Sequence, residues 1–197
     1  FSGFEMPVYY PEGIQSEYYS VREKAGIFDV SHMGEFFITG SNALQFLQKV
    51  TINDVSKLNV GQAQYSAMCF PDAGIVDDLL IYRKSKGYFM VVNAANIQKD
   101  FEWLSQNVCD DVHLENLSEE LSLIALQGPC SRKILSKITD INLKMPFYTF
   151  EEGFICGFFV MVSRTGYTGE LGFEIYGREE AILPIWDDLI KAGAQPA

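Results

Sequence analysis

The sequence predicts an α+β fold in which antiparallel sheets carry packed helices. Three observations point there. Strand-like segments do not alternate strictly with helical ones, which disfavours a doubly wound parallel sheet. Two neighbouring strand candidates, 76–83 and 88–92, are separated only by Lys84 to Gly87, the length of a hairpin connection. A content of 48% hydrophobic and 14% aromatic residues over 197 positions supplies one sizeable core or two modest ones, which excludes intrinsic disorder.

In chain order, alternating or β-branched character predicts strands at 34–39, 63–69, 76–83, 88–92, 121–126, 154–162 and 172–176. Helices fall between them. Residues 42–50 place Ala43, Phe46, Leu47 and Val50 at i, i+3, i+4 and i+7, with Ser41 available as N-cap. Residues 96–106 repeat the pattern through Ile97, Phe101 and Leu104, and residues 178–192 through Ile182, Ile185, Trp186, Leu189 and Ile190. Trp103 and Trp186 fall on these apolar faces and read as core residues. Pro129 opens a shorter helix running to about Ile138. No low-complexity linker divides the chain, so any two lobes are intertwined or closely packed.

Composition removes several function classes. A formal net charge of −11 repels a phosphate backbone, which argues against nucleic-acid binding. No run reaches the roughly 18 apolar residues that a membrane-spanning helix needs. Cys69, Cys109, Cys130 and Cys156 lack any C-x-x-C spacing and are expected to be buried, reduced thiols rather than zinc or redox ligands. With only His32 and His113, and no H-E-x-x-H or G-x-S-x-G, neither a histidine metal centre nor a serine triad has support. The chain begins at Phe1 without a signal sequence and stops soon after an amphipathic segment, so it is expected to be a piece of a longer protein.

Three stretches could carry chemistry. In GIVDDLLIY, Asp77 and Asp78 interrupt an apolar strand, a costly placement. Successive strand residues point to opposite faces, so the two cannot form a shared-proton dyad and need separate partners; Asp78, Leu80 and Tyr82 share one face, Asp77, Leu79 and Ile81 the other. Either both accept backbone hydrogen bonds after the Asp72-Ala73-Gly74 turn, or one binds a ligand or takes part in catalysis. In SRTGYTGELGFEIY, Gly166, Gly169 and Gly172 match no nucleotide-binding fingerprint. They predict either a tight turn between strands or a polar cradle for a flat ligand, in which Tyr167 stacks and Glu170 or Glu174 accepts a pair of N–H donors with little steric cover. His32 in FDVSHMGEF reads as a hydrogen-bonded structural histidine, and Tyr65 and Asn93 are unremarkable taken singly.

Taken together and in order, GIFDVSHMGEF, QYSAMCFPDAGIVDDLLIY, FMVVNAANIQKDFEWL, LIALQGP and SRTGYTGELGFEIYG resemble the folate-binding T-protein family, the aminomethyltransferases of the glycine cleavage system. The resemblance covers essentially the whole chain. It implies a tetrahydrofolate-dependent transfer: the lipoyl arm of a partner H-protein delivers an aminomethyl group, methylenetetrahydrofolate forms and ammonia leaves. The wider family includes folate modules of dimethylglycine and sarcosine dehydrogenases and other tetrahydrofolate-dependent demethylating proteins, which stand as the alternative. Carried over residue by residue, the resemblance assigns Asp78 as catalytic and Tyr65, Asp78, Tyr82, Asn93, Tyr167 and Glu174 to the folate pocket, with Glu174 facing the aminopyrimidine edge. It leaves Asp77 structural. Neither metal, flavin nor nicotinamide is implied, and the compartment would be the bacterial cytoplasm or the mitochondrial matrix.

Three departures accompany the match. Ala73-Gly74 stands where the family has Gly-Gly, a mild change provided that position 73 needs no positive φ. Phe4 replaces a common tryptophan. The family's pattern also runs on into an arginine-bearing folate segment and a barrel domain, so residues 1–197 are expected to be the folate-binding region alone.

Overall fold

The computed structural model describes residues 1–197. The chain runs α1 (Ile14–Glu23), β1 (Gly26–Asp29), β2 (Gly34–Thr39), α2 (Ala43–Val50), β3 (Ala63–Cys69), β4 (Ile75–Arg83) and β5 (Tyr88–Val92). It continues through α3 (Ile97–Asn107), β6 (His113–Asn116), β7 (Leu121–Gln127), α4 (Ser131–Leu135), β8 (Phe150–Ile155) and β9 (Phe158–Ser163). The last elements are β10 (Gly172–Arg178), α5 (Glu179–Ala192) and β11 (Gln195–Pro196). The α+β class with antiparallel sheets is as the sequence predicts, the short parallel pair β1–β11 being the one exception among the strand pairs. No helix is long and apolar enough to cross a membrane.

Two compact units emerge. One comprises Met33–Glu119; the other combines Gly3–His32 with Glu120–Ala197. In the Met33–Glu119 unit the sheet order is β3-β4-β5-β2-β6. The anticipated hairpin forms its centre, with Arg83 opposite Tyr88 and Leu79 opposite Val92. One sheet face, bearing Phe36, Ile38, Leu79, Ile81, Met90 and Val92, packs against Phe46 and Leu47 of α2 and Leu104 of α3. Phe46 and Leu47 are essentially inaccessible, and each contributes about 1.5–3 kcal/mol of burial.

In the other unit the order is β11-β1-β7-β10-β9-β8. Ile124, Leu126, Val162, Phe173 and Ile175 form the sheet side of its core, and Ile182, Ile185 and Leu189 of α5 form the helix side. Pro184 is tolerated inside α5.

Several local expectations need correction. The strand expected at 154–162 is the hairpin β8–β9, because Cys156 and Gly157 both take positive φ (51° and 85°) and reverse the chain in two residues. The helix expected from Pro129 to Ile138 is limited to Ser131–Leu135. Ser41 does not cap α2; Asn42 occupies that position, and the Ser41 hydroxyl lies 3.4 Å from Asp111 Oδ2. The cysteines are free but not buried: Cys109 and Cys156 are exposed, Cys69 and Cys130 partly so. His32 packs edge-on to the Phe1 ring at 5.6 Å and against Phe4, so aromatic contact rather than a hydrogen bond fixes it. Trp103 and Trp186 are only partly buried against the two cores.

Ala73 decides whether its substitution for glycine is mild. It is not, because its φ is 67°. The Phe70–Gly74 turn forces this geometry: Ala73 N donates to Phe70 O at 2.9 Å, and Phe70 N donates to Gly74 O at 2.7 Å. A Cβ in the left-handed region costs about 1–2 kcal/mol, partly offset by the smaller unfolded-state entropy of alanine. Ala73→Gly is therefore expected to raise stability by about 0.5–1 kcal/mol in denaturant unfolding, and an unchanged or lowered midpoint would show that the turn relaxes around the methyl group.

Candidate functional site

The strand β4 carries its two carboxylates to opposite faces, and each is held differently. Asp78 shares a face with Leu80 and Tyr82, and Ala67 of the edge strand β3 stands directly opposite it. The small alanine leaves the carboxylate half-exposed. Tyr65 Oη donates to Asp78 Oδ2 at 2.7 Å, and Asn93 Nδ2 donates to Asp78 Oδ1 at 2.8 Å. Tyr65, Asp78 and Asn93 thus form one hydrogen-bonded cluster. Tyr82 lies on the same face but is fully buried and packs its ring against Phe89, with centroids 5.9 Å apart.

Asp77 is buried on the helix-packed side. The expectation of wholly separate partners for the two aspartates fails at one point: Asn93 Nδ2 also reaches Asp77 Oδ1 at 3.1 Å, so one amide serves both. The other neighbour of Asp77 is Asp100, in the first turn of α3 and completely inaccessible. Burial pushes the Asp100 carboxyl up to about 8, reinforced by its hydrogen bond to Asp77 and by that group's negative charge. Lys99 Nζ lies 3.8 Å from Asp100 Oδ1 but donates to Val76 O at 2.5 Å, so it does not restore the charge. Burial also raises Asp77, but hydrogen bonds from Asp100, Asn93 and Asn96 outweigh it and hold this carboxyl below its ordinary value. The sequence carries one signal for Asp100: three residues after Ile97 and four before Leu104, it falls on the apolar stripe of its helix.

The second group of residues lies in the Gly3–His32 and Glu120–Ala197 unit. Glu174 of β10 is 8% exposed, which corrects the expectation of little steric cover. Its Oε2 accepts from Thr165 Oγ1 and, at 3.2 Å, from Tyr176 Oη. Tyr148 is raised by burial and by the Glu174 charge. Tyr167, by contrast, is 97% exposed. Gly166 and Gly172, which flank it, are required by Gln127, the buried glutamine of LIALQGP. Its Nε2 donates to Thr165 O at 3.2 Å, and its Oε1 accepts from Thr168 Oγ1 at 3.0 Å. A Cβ at Gly166 would stand 2.4 Å from Gln127 Oε1, and one at Gly172 only 2.0 Å. Glu170 is taken up by Arg22, 3.1 Å away, which also donates to Thr168 O. Gln127 and Arg22 thus hold the segment whose sequence suggested a cradle.

Compared with known proteins, the chain matches the GCVT N-terminal domain family over residues 1–196. It belongs to that family. An aminomethyltransferase of Geobacillus sp. strain WCH70 is 51% identical over 198 residues, covering 99% of this chain and 54% of that protein. One from Chloroherpeton thalassium is 54% identical over 196 residues, covering 98% and 54%. The crystal structure of glycine cleavage system aminomethyltransferase T from Bartonella henselae superposes with a TM-score of 0.89 at 32% identity, covering 96% of this chain and 52% of that one. The chain spans about half the length of the curated relatives that it matches.

A second buried acid lies on the same sheet face as Asp78. Glu35 of β2 pairs with Val91, which pairs with Leu80, so the three side chains point the same way. Glu35 is fully inaccessible, and neither carboxyl oxygen has a hydrogen-bond donor. Burial pushes it up to about 9. Unfolded, the group ionises near 4.5, so between about pH 4.5 and pH 9 the unfolded chain binds fewer protons than the folded one and stability falls as pH rises, by up to about 1.4 kcal/mol per pH unit. Glu35→Gln should flatten that decline in urea melts at pH 5, 6.5 and 8. An unchanged pH slope would mean that Glu35 ionises normally in the fold.

Proposed function

We propose that this chain is the tetrahydrofolate-binding and reaction-bearing part of an aminomethyltransferase of glycine cleavage. It would act with a lipoylated H-protein, whose aminomethyl group yields its carbon to tetrahydrofolate with release of ammonia. The observation that carries this reading is the Asp78 carboxylate, held on one oxygen by Tyr65 and on the other by Asn93, in a chain about half identical to proteins named aminomethyltransferase. Bound folate supplies the nucleophilic nitrogen that accepts the carbon.

The chain's own contribution is electrostatic and positional. Positive charge grows at the aminomethyl carbon as ammonia departs, and a carboxylate already fixed by two donors can stabilise it without reorganising. Glu174 presents a buried carboxylate suited to the N–H edge of an aminopyrimidine, and Tyr167 of the same unit an exposed stacking face; in the Met33–Glu119 unit the exposed Tyr65 ring stands beside Asp78. Tyr82 lies buried on the same face of β4 as Asp78, packed against Phe89. Each unit thus offers an aromatic face and a carboxylate of the kind that a flat, amino-substituted heterocycle needs, and the transfer uses Asp78 as stabiliser without a covalent intermediate on the protein.

Asp78→Asn keeps the shape and removes the charge. In the full-length protein, assayed with lipoylated H-protein, the transfer rate should fall about a hundredfold or more, while tetrahydrofolate affinity changes by less than about tenfold. Full activity in Asp78→Asn would overturn the assignment. Folate binding without any transfer by the wild-type protein would favour a folate-binding module of the dehydrogenase kind.

A further inference from the structure

We propose that Asp100 and Asp77 form a proton-sharing carboxylic-acid pair that positions Asn93, and through it Asp78, for the transfer reaction. The proposal rests on the aminomethyltransferase reading for its kinetic consequence, but the pair itself is defined by burial and hydrogen bonding alone. Asp100 is completely inaccessible, and neither of its carboxyl oxygens meets an N–H or a hydroxyl donor; Asp77 Oδ2 is likewise buried without one. Asn93 and Asn96 donate to Asp77, but the three carboxyl oxygens left over, both of Asp100 and Oδ2 of Asp77, have no donor except a proton that the acids carry themselves. With Asp100 protonated its O–H donates to Asp77, which stays ionised, and the shortage is relieved. Two buried like charges side by side would instead repel each other in a region that cannot solvate either.

The consequence reaches the reaction centre through one amide. Asn93 Nδ2 has two hydrogens and three acceptors: Asp77 Oδ1 at 3.1 Å, Asp78 Oδ1 at 2.8 Å and Asp78 O at 3.2 Å. An ionised Asp77, itself anchored by Asp100, fixes the amide with its nitrogen toward β4, which orients the donor that Asp78 receives. The ionisable groups facing Asp100 are Asp77 and Asp78 from β4 and Lys99 from its own helix. Asp77 and Asp78 both favour the neutral form, and only Lys99 opposes them. The order of the chain is therefore acid, carboxylate, amide, carboxylate and phenol, from Asp100 to Tyr65. Asp100 and Asp77 are positioning residues; neither needs to touch substrate.

Asparagine at position 100 reproduces a neutral donor, whereas alanine removes it. In the full-length protein Asp100→Asn should keep at least about a third of kcat, Asp100→Ala should lose about tenfold or more in kcat, and both should leave the KM for tetrahydrofolate within about threefold. The alkaline fall in kcat of the wild type, as Asp100 loses its proton, should be shallower in Asp100→Asn. Carbon-13 NMR of aspartate-labelled protein gives a readout independent of activity. One carboxyl resonance should titrate well above the ordinary aspartate range and vanish in Asp100→Asn. Its absence, with all aspartates titrating normally, would overturn the proton-sharing pair. Equal kcat in the wild type and the alanine variant would overturn the positioning role. If the wild type proves inactive as a transferase, the NMR titration still decides the pair.

Discussion

A single carboxamide stands between two carboxylates that one apolar strand carries to its two faces, and much of the Met33–Glu119 unit is arranged around satisfying it. Strand geometry alone would send Asp77 into the helix-packed core and Asp78 toward the opposite face. The core side cannot hold a bare charge, so α3 supplies a second acid beside it. On the open side Tyr65 from the edge strand and Asn93 from the end of β5 each donate to one oxygen of Asp78. β4 is flanked by β3 and β5, the two strands from which those donors come. The hairpin that joins β4 to β5 therefore does more than close the sheet: its register sets where Asn93 leaves β5 relative to the aspartates.

The other unit solves the reverse problem, that of holding an irregular segment still. Loop backbone carries polar groups that need partners. Gln127 meets this need from the end of β7 with one amide that donates to Thr165 O and accepts from Thr168. The amide fits only because positions 166 and 172 lack side chains. The glycines are thus explained by a specific close approach rather than by flexibility, and the segment leaves Tyr167 fully outside while its neighbour Thr165 is buried against Glu174. A loop pinned from within and braced by Arg22 from outside is a rigid support for an exposed aromatic ring.

What the sequence made legible follows the reach of its periodicities. Residues 34–39, 63–69 and 88–92 form strands as expected, because alternation and β-branching are local signals. The hairpin was legible because four polar residues can connect two strands in few ways. The β8–β9 turn was not, since a Cys-Gly pair is a weak turn signal and its flanks read as one apolar run. The strand partners of Asp78 could be inferred as sharing its face, but Asn93 and Asp100 reach the aspartates from 15 and 22 or more positions away, a proximity that only topology creates. Ala73 is a related case, in which the residue type was visible but the φ that makes it costly was not.

Asp100 and Glu35 together alter how the chain's acidity should be read. Both are buried without a counter-charge sufficient to ionise them, one packed between α3 and β4 and the other on the face that carries Asp78. With both protonated near neutral pH, the folded chain carries two fewer negative charges than its formal −11. The two acids differ in what the proton accomplishes. At Asp100 it becomes a donor to a defined acceptor and so fixes a geometry, whereas neither oxygen of Glu35 meets a hydrogen-bond donor and its proton serves to avoid a buried charge. Replacing a buried acid by an apolar residue is often neutral or stabilising when nothing depends on its hydrogen bond. By that criterion Glu35 is the replaceable acid, whereas Asp100 carries a hydrogen bond to Asp77, and the asymmetry between the two sites separates a buried acid whose proton fixes a geometry from one whose proton does not.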